Sequence, residues 1–306
     1  MGNLDRDYGL GGHDCAAACG ISKWRTPYQL WAEKTGRVTR EDISTKPAVE
    51  WGRRLEGAVV RKYIDATGHA YVESETLRDP ELPWMRGTPD GFVTAPGGQV
   101  RGLEVKTASG RSARWWGPSG TDEVPVDYAM QCAHYALITK VTTWDVAVLL
   151  DQSDYRTYTL AFPPAMLTAV AGHLRAMWDR IITDTAPDAF PEDADLAYPR
   201  SSDGTCVDAG DNLRELLSEL RSCRNTARAL RARESELIGK VKLAAKDSES
   251  IKCDGVTVAT LRWQERNTLD SARLKSDYPD IYKAYLKTSR SRPLSLKATG
   301  NTSENM

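Results

Sequence analysis

Gly87-Thr88-Pro89-Asp90-Gly91, followed by Gly102-Leu103-Glu104-Val105-Lys106-Thr107, is the stretch whose reading decides the fold. The Pro-Asp-Gly segment is a turn, Phe92-Val93-Thr94 extends from it, and Ala95 to Gly98 reverses the chain. Gln99 to Ala108 then alternates enough to read as a second strand. The spacing predicts a β-hairpin with a carboxylate, Asp90, at its entrance. A side-chain period of two sets Glu104 and Lys106 on one face of the second strand and Leu103 and Val105 on the other. The apolar pair can anchor a core while the charged pair faces a cleft.

Two carboxylates and an ammonium aimed at one point have a use when a divalent metal lies between Asp90 and Glu104. Hard cations such as Mg²⁺ take carboxylate oxygens and keep several waters. They offset charge developing on a phosphate, and Lys106 can orient the attacking water. The reading is metal-assisted phosphodiester hydrolysis. Its alternative is a surface hairpin with a solvated Glu/Lys pair, because short motifs recur by chance.

Working outward, the 306 residues are 41% apolar and 27% charged, enough to bury one large core or two smaller ones. No apolar run reaches membrane-spanning length and Met1 to Tyr8 has no signal-peptide pattern, so the expectation is a cytoplasmic protein without a membrane partner. The six cysteines include no CxxC pair, which favours free thiols over disulfides, zinc or an iron–sulfur cluster. The net charge of −1 argues against a broadly basic nucleic-acid coat. By segment, residues 1–183 carry 21 Lys/Arg against 22 Asp/Glu, residues 184–210 carry 1 against 7, and residues 211–306 carry 19 against 13. Any contact with DNA is therefore local and patchy.

Upstream of the hairpin, Arg6 and Gly9-Leu10-Gly11-Gly12-His13-Asp14 lead into an Ala-rich run stopped by Gly20. A glycine turn before a helix can bind phosphate, with Arg6 and His13 assisting, or can simply be a tight turn. Thr26 caps a helix whose first turn holds Pro27 and which carries Leu30 and Trp31 inward. Ala48 to Thr67 is a second helix with Trp51, Leu55, Val59 and Tyr63 as its buried stripe. Glu56 lies beside that stripe, either paired with Arg53, Arg54 or Lys62 or serving as a third acid.

Downstream, the adjacent Trp115 and Trp116 in a Gly/Pro context either stack on unpaired bases or cap the core. Pro125 starts a helix through Thr139 with Tyr128, Gln131 and Tyr135 on one face and His134 on the apolar side, where a satisfied core histidine is the ordinary reading. Strands at Trp144 to Leu150 and Tyr155 to Ala161 and a helix from Pro163 to Ile182 complete an α/β (α+β) arrangement, a mixed sheet flanked by helices. From Pro187 an Asp-, Pro- and Ser-rich connector reads as a strap or linker. Over residues 211–246, Leu213, Leu216, Leu220, Cys223, Ala227, Leu230, Glu234, Leu237, Val241 and Ala244 recur in steps of three and four, a coiled-coil signature interrupted by Glu234. Packing on the same chain, self-association and docking of a partner are its open uses, and its arginines either line DNA or form a solvated basic face. A strand region at Val256 to Trp263 and a short helix from Asp270 to Thr288 follow, and the last residues read as disordered.

Taken together, Gly12-His13-Asp14 with Gly20-Ile21-Ser22-Lys23-Trp24, Pro27-Tyr28-Gln29-Leu30-Trp31, Trp51-Gly52-Arg53-Arg54-Leu55-Glu56, Pro89-Asp90-Gly91, Leu103-Glu104-Val105-Lys106, and Tyr128-Ala129-Met130-Gln131 with Tyr135 resemble the YqaJ-type viral recombinase exonucleases. These are relatives of lambda exonuclease in the PD-(D/E)xK nuclease superfamily. The resemblance reaches into the tail at Leu261-Arg262-Trp263, Tyr278-Pro279 and Ser289-Arg290.

The resemblance implies that Asp90 and Glu104, with the Val105 backbone carbonyl and Glu56 through water, hold the metal. It makes Lys106 the motif lysine and sets Tyr128 and Gln131 beside the scissile phosphate. Arg6 and His13 fall where the family holds a 5′-terminal phosphate, although His13 departs from the family's serine. Tyr135, Trp115 and Trp116 join them as DNA-contact candidates. The implied reaction is 5′-to-3′ digestion of double-stranded DNA ends by Mg²⁺, with Mn²⁺ able to substitute and two ions per site. The implied partners are a phage single-strand annealing protein and further copies in a ring, a trimer being one such form. The expected organisation is a nuclease core at 1–186, an acidic linker at 187–210 and a basic extension at 211–306. A structure-selective endonuclease and a non-catalytic DNA-binding scaffold are the rival readings.

Overall fold

The computed structural model describes residues 9–151 and 153–297. Arg6 and the terminal residues read as disordered lie outside that range. The chain forms two units, one ending at Ala197 and one beginning at Tyr198.

The first unit is built on a five-stranded sheet of order β1-β4-β5-β6-β7. Its strands are β1 (Ala70–Glu73), β4 (Gly91–Thr94), β5 (Val100–Ala108), β6 (Thr143–Leu150) and β7 (Asp154–Ala161). The short pair β2 (Leu77–Arg78) and β3 (Arg86–Gly87) stands apart from it. The expected hairpin is β4–β5, with Gly91 opposite Leu103 and Thr94 opposite Val100. β5 runs parallel to β6, Leu103 opposite Asp145 and Lys106 opposite Val148, and all other pairs in the sheet are antiparallel. A parallel pair needs a crossover. Here it comprises a 3₁₀ turn (Gly110–Trp115) and a helix at Val126–Thr139.

The helices of this unit are α1 (Cys15–Ala18), α2 (Pro27–Lys34), α3 (Pro47–Thr67), α4 (Val126–Thr139), α5 (Pro164–Ile182) and α6 (Ala194–Ala197). Thr26 caps α2 through its hydroxyl, which accepts from the Gln29 N–H at 3.0 Å, and Leu30 and Trp31 are buried as expected. α3 packs Val59, Val60 and Tyr63 against Val93, Leu103, Val105 and Ala147 on one face of the sheet. α4 covers the other face, where Cys132, Tyr135 and Ala136 meet Trp144, Val146 and Val148. A third apolar cluster holds α1, α2, α4 and α5 together through Leu10, Leu30, Met130 and Leu174.

Two readings need correction, and one strand has no counterpart in the sequence reading. The predicted stripe on α3 fails at its start: Trp51 is 60% exposed, because burial on this helix is confined to Val59, Val60 and Tyr63. β1, a short and largely exposed edge strand, carries too little alternation to be read from sequence. Residues 190–197, read as linker, pack on the first unit through a carboxylate. The Thr26 hydroxyl donates to Asp193 Oδ1 at 2.8 Å, Asp193 is fully buried, and Leu196 joins the apolar cluster.

The second unit comprises α7 (Asp211–Ala245), the hairpin β8 (Ser250–Cys253) with β9 (Val256–Thr260), α8 (Ser271–Asp277) and α9 (Pro279–Ala284). The single helix expected at Asp270 to Thr288 is two, broken at Tyr278-Pro279, since proline lacks the N–H that would continue the first. None of the second unit's described residues is buried.

Candidate active site

Parallel pairing gives β5 a neighbour on each side, and α3 and α4 cover its two faces. The alternation read from sequence is present, with Leu103 and Val105 toward α3 and Glu104 toward α4. The charged face is not an open cleft, however. Glu104 is only 1% exposed and the Lys106 side chain 14%. The solvated surface pair is therefore excluded: this Glu/Lys pair is inside the protein.

The cluster is held from four segments. The Lys106 ammonium pairs with Glu104 Oε1, and Gln131 Nε2 donates to the same oxygen at 2.6 Å. Asp90 Oδ2 accepts the Val105 N–H at 2.6 Å, which ties the turn before β4 to β5. The Tyr71 hydroxyl donates to the Asp90 carbonyl at 2.8 Å. Lys106 Nζ lies 5.2 Å from the centre of the Tyr128 ring. Glu56 is half-buried on α3, one turn after Gly52, where the helix passes so near β5 that a Cβ would lie 3.4 Å from Thr107 Oγ1.

The electrostatics follow from this geometry. Burial, reinforced by the Asp90 and Glu56 charges, pushes the Glu104 carboxyl up to about 7 against the opposing pull of Lys106. Asp90 is raised by burial, and Glu56 is raised by burial and then by Asp90. Burial works to lower the Lys106 ammonium, but Glu104 and Asp90 outweigh it and hold Lys106 above the ordinary lysine value. Three carboxyls made reluctant to ionise, chiefly by burial, are relieved by added positive charge.

The donor set fits a hard divalent cation. Glu104 Oε2 and Gln131 Oε1 are both buried and accept no hydrogen bond from the described residues. Carboxylate and amide oxygens are the ligands Mg²⁺ prefers, with water completing its shell. Among the described residues no group of three or more His, Cys, Asp or Glu side chains is placed to hold a metal ion. Two carboxylates with backbone and water oxygens match the way Mg²⁺ binds.

Several predicted site residues have other work. Tyr135 is buried, its hydroxyl donating to the Thr88 carbonyl at 3.2 Å and accepting from Gln131 Nε2 at 3.0 Å. A Cβ at Gly12 or Gly87 would lie 2.8 or 2.4 Å from its ring, so both positions must be glycine for the ring to seat. Tyr135 therefore orients Gln131 and is closed to DNA. Trp116, 5% exposed, is also core, stacked on Tyr128 at 5.4 Å and tilted against Tyr158. Trp115 is 53% exposed, with Lys23 Nζ 4.7 Å and Arg114 5.0 Å from its ring. His13 is exposed next to Gly12. His134 is a core histidine, fully buried with Nε2 2.9 Å from the Arg86 carbonyl.

The two tryptophans therefore separate by experiment. Trp116→Ala is expected to cost about 3–5 kcal/mol of stability, as for other buried aromatics, and Trp115→Ala less than about 0.5 kcal/mol. Urea unfolding of the two variants checks this; equal losses would contradict the packing described.

Sequence reading missed the residues that set the site up. Tyr71 lies on the unread edge strand. Asp14, buried between Arg25 at 2.6 Å and Lys34 at 3.0 Å, is held well below the usual carboxylate range: burial opposes this, but Lys34 and Arg25 prevail. Its Oδ2 also accepts the Gly11 N–H, fixing the turn that carries Gly12. The signal was present in Gly11-Gly12-His13-Asp14, where the glycines serve packing and a capping acid.

The mixed sheet thus carries a buried carboxylate–lysine centre, with Asp90 beside it. Residues 4–142 match the family model described as the YqaJ-like viral recombinase domain. The chain is 24% identical over 303 residues to a Bacillus subtilis (strain 168) protein named "Uncharacterized protein YqaJ", across 96% of this chain and 92% of the relative. Among solved structures, the alkaline exonuclease LHK-Exo from Laribacter hongkongensis gives a TM-score of 0.45 at 15% identity, over 59% of this chain and 91% of that one. A phage related exonuclease from Haemophilus somnus 129PT gives 0.40 at 12%, over 60% and 100%.

Proposed function

We propose that the chain is a divalent-metal-dependent exonuclease that digests double-stranded DNA ends 5′ to 3′, leaving 3′ single strands for an annealing protein in the host cytoplasm. The observation that carries the reading is the buried Glu104–Lys106–Gln131 cluster with Asp90 beside it. Burying several charges is costly unless a ligand repays it, and the family match supplies the class of ligand.

Asp90 and Glu104, with the Val105 carbonyl and Glu56 through water, would hold Mg²⁺. A divalent ion so held supplies charge against that developing on the scissile phosphate and makes water more acidic. Lys106 stays cationic and orients the attacking water. Gln131 fixes Glu104, and Tyr128 supports the lysine from below. Arg6 and His13 would take the 5′-terminal phosphate, and the exposed Trp115 with Lys23 and Arg114 offers a stacking and charge contact to the strand. Phosphate contacts would dominate binding and make it salt-sensitive.

The test is a time course with Mg²⁺ on linear duplexes bearing 5′-phosphate or 5′-hydroxyl ends, beside a closed circle. The expected result is loss of linear DNA only, faster from the phosphorylated end, with release of mononucleotides. Cutting of the circle would replace the reading with an endonuclease, and no metal-dependent cutting would leave a DNA-binding scaffold.

No helix among the described residues is long and apolar enough to cross a membrane.

A further inference from the structure

The feature least used by the nuclease reading is α7, whose 35 residues include none that is buried. Its heptad seam lies open: Leu213, Leu216, Leu230, Leu237 and Val241 are all at least 40% exposed. Toward the C-terminal end the seam widens into a groove of about 450 Å³, where Leu230, Leu237 and Val241 face Leu261 from the chain after β9. The tail runs beside the seam, with Arg221 donating to the Lys297 carbonyl at 2.8 Å and Arg224 to that of Leu294 at 3.1 Å. An apolar stripe of this length does not stay in water unpartnered, and a period of three and four residues asks for another helix.

We propose that the partner is the same helix of a second copy of this chain, running antiparallel. The commitment rests on self-complementarity. In one antiparallel register every seam residue meets a seam residue: Leu213 faces Ala244, Leu216 faces Val241, Leu220 faces Leu237, Cys223 faces Glu234 and Ala227 faces Leu230. The leucine-rich first half of each helix then fills the groove of the other's second half. The contact is two-fold and closes on itself.

Charge favours the same register. Glu219, beside Leu220, comes between Lys240 and Arg233 of the second copy, and this happens twice. Glu234, the acid that interrupts the seam, lies opposite Cys223 with Arg224 next to it. A parallel pair would instead set Glu234 on Glu234 and Cys223 on Cys223, burying like charges. Arg224 and Arg231 approach each other on the far flank, a like-charge contact that the antiparallel register also makes twice. Arg224 offsets it through the Leu294 carbonyl and the neighbouring Glu234.

The register is read by disulfide formation in the full chain, with the exposed Cys206 and Cys253 replaced by serine. Glu234→Cys places a thiol opposite native Cys223. Within one helix the two are about 16 Å apart, too far to join. Mild oxidation is expected to give a covalent dimer carrying the 223–234 link by peptide mass, and adding Cys223→Ser should abolish it. A dimer that persists through a 234–234 link would show a parallel pair, and absence of any crosslink would show that α7 does not pair; either overturns the proposal. A second measurement uses exposed charges that leave folding untouched. Glu219→Lys should weaken self-association roughly threefold to tenfold, read by light scattering against concentration, and Lys240→Glu in addition should restore it. No change in either variant would also overturn it. The proposal is independent of the nuclease reading, because neither measurement uses DNA.

Discussion

Glu104→Gln is expected to lower the rate of DNA degradation by roughly a thousandfold or more, the scale of losing a principal charge-stabilising group. The substitution keeps the shape of the side chain and an acceptor for Lys106 and Gln131, but removes a negative charge from the proposed metal site. Asp90 and Glu56 remain, but neither lies on the oxygen that Lys106 and Gln131 hold in place. Lys106→Ala should be as inactive for a different reason, since it strips a buried carboxylate of its partner and, on the proposed mechanism, loses the group that orients water. The two variants separate by metal dependence: added Mn²⁺ should leave Glu104→Gln inactive, and binding of Mg²⁺ measured by calorimetry should fall in Glu104→Gln and persist in Lys106→Ala. Wild-type digestion by Glu104→Gln would remove Glu104 from the chemistry.

The second large effect is on stability without metal. The Glu104 carboxyl titrates near 4.5 in an unfolded chain and is pushed up to about 7 in the folded protein. The folded state therefore holds its proton the more tightly. The resulting stabilisation is complete below about 4.5 and is lost as pH rises through about 7, of the order of 1–3 kcal/mol. Asp90 and Glu56, also raised, add to the same trend. Asp14, whose pKa is depressed, acts in a separate window and costs stability only as pH falls below its unfolded value of 3.8. In EDTA the melting temperature of the wild type should thus decline between pH 5 and pH 8, and that of Glu104→Gln should decline less. Mg²⁺ at a hundred times its dissociation constant should return about 2.7 kcal/mol at pH 8. Parallel curves for the two proteins would mean that burial does not perturb Glu104.

The hairpin, the α4 face and the β6–β7 pair were legible because their signals are local: a turn rich in Pro and Gly, a period of two, a period near four. Asp90, Glu104 and Lys106 were legible as a trio because one hairpin carries all three. Their burial was not, since it depends on α4 closing over β5 from the other side of a long crossover. Tyr135 and Trp116 were misassigned for a related reason. An aromatic side chain in a Gly-rich context reads the same whether it faces solvent or fills the gap a glycine leaves, and only the positions of Gly12 and Gly87 beside the ring decide it.

The parallel junction of β5 with β6 also governs when the centre can exist. Asp90, Glu104 and Lys106 are synthesised together, yet Gln131 and the strand that walls them in arrive only after residues 109–142 have looped across. Pairing strands across so long a loop is slow compared with making a hairpin, so the charges are expected to stay hydrated until β6 docks. A chain ending before Val126 would retain Asp90, Glu104 and Lys106 and lack both the helix and the strand that bury them.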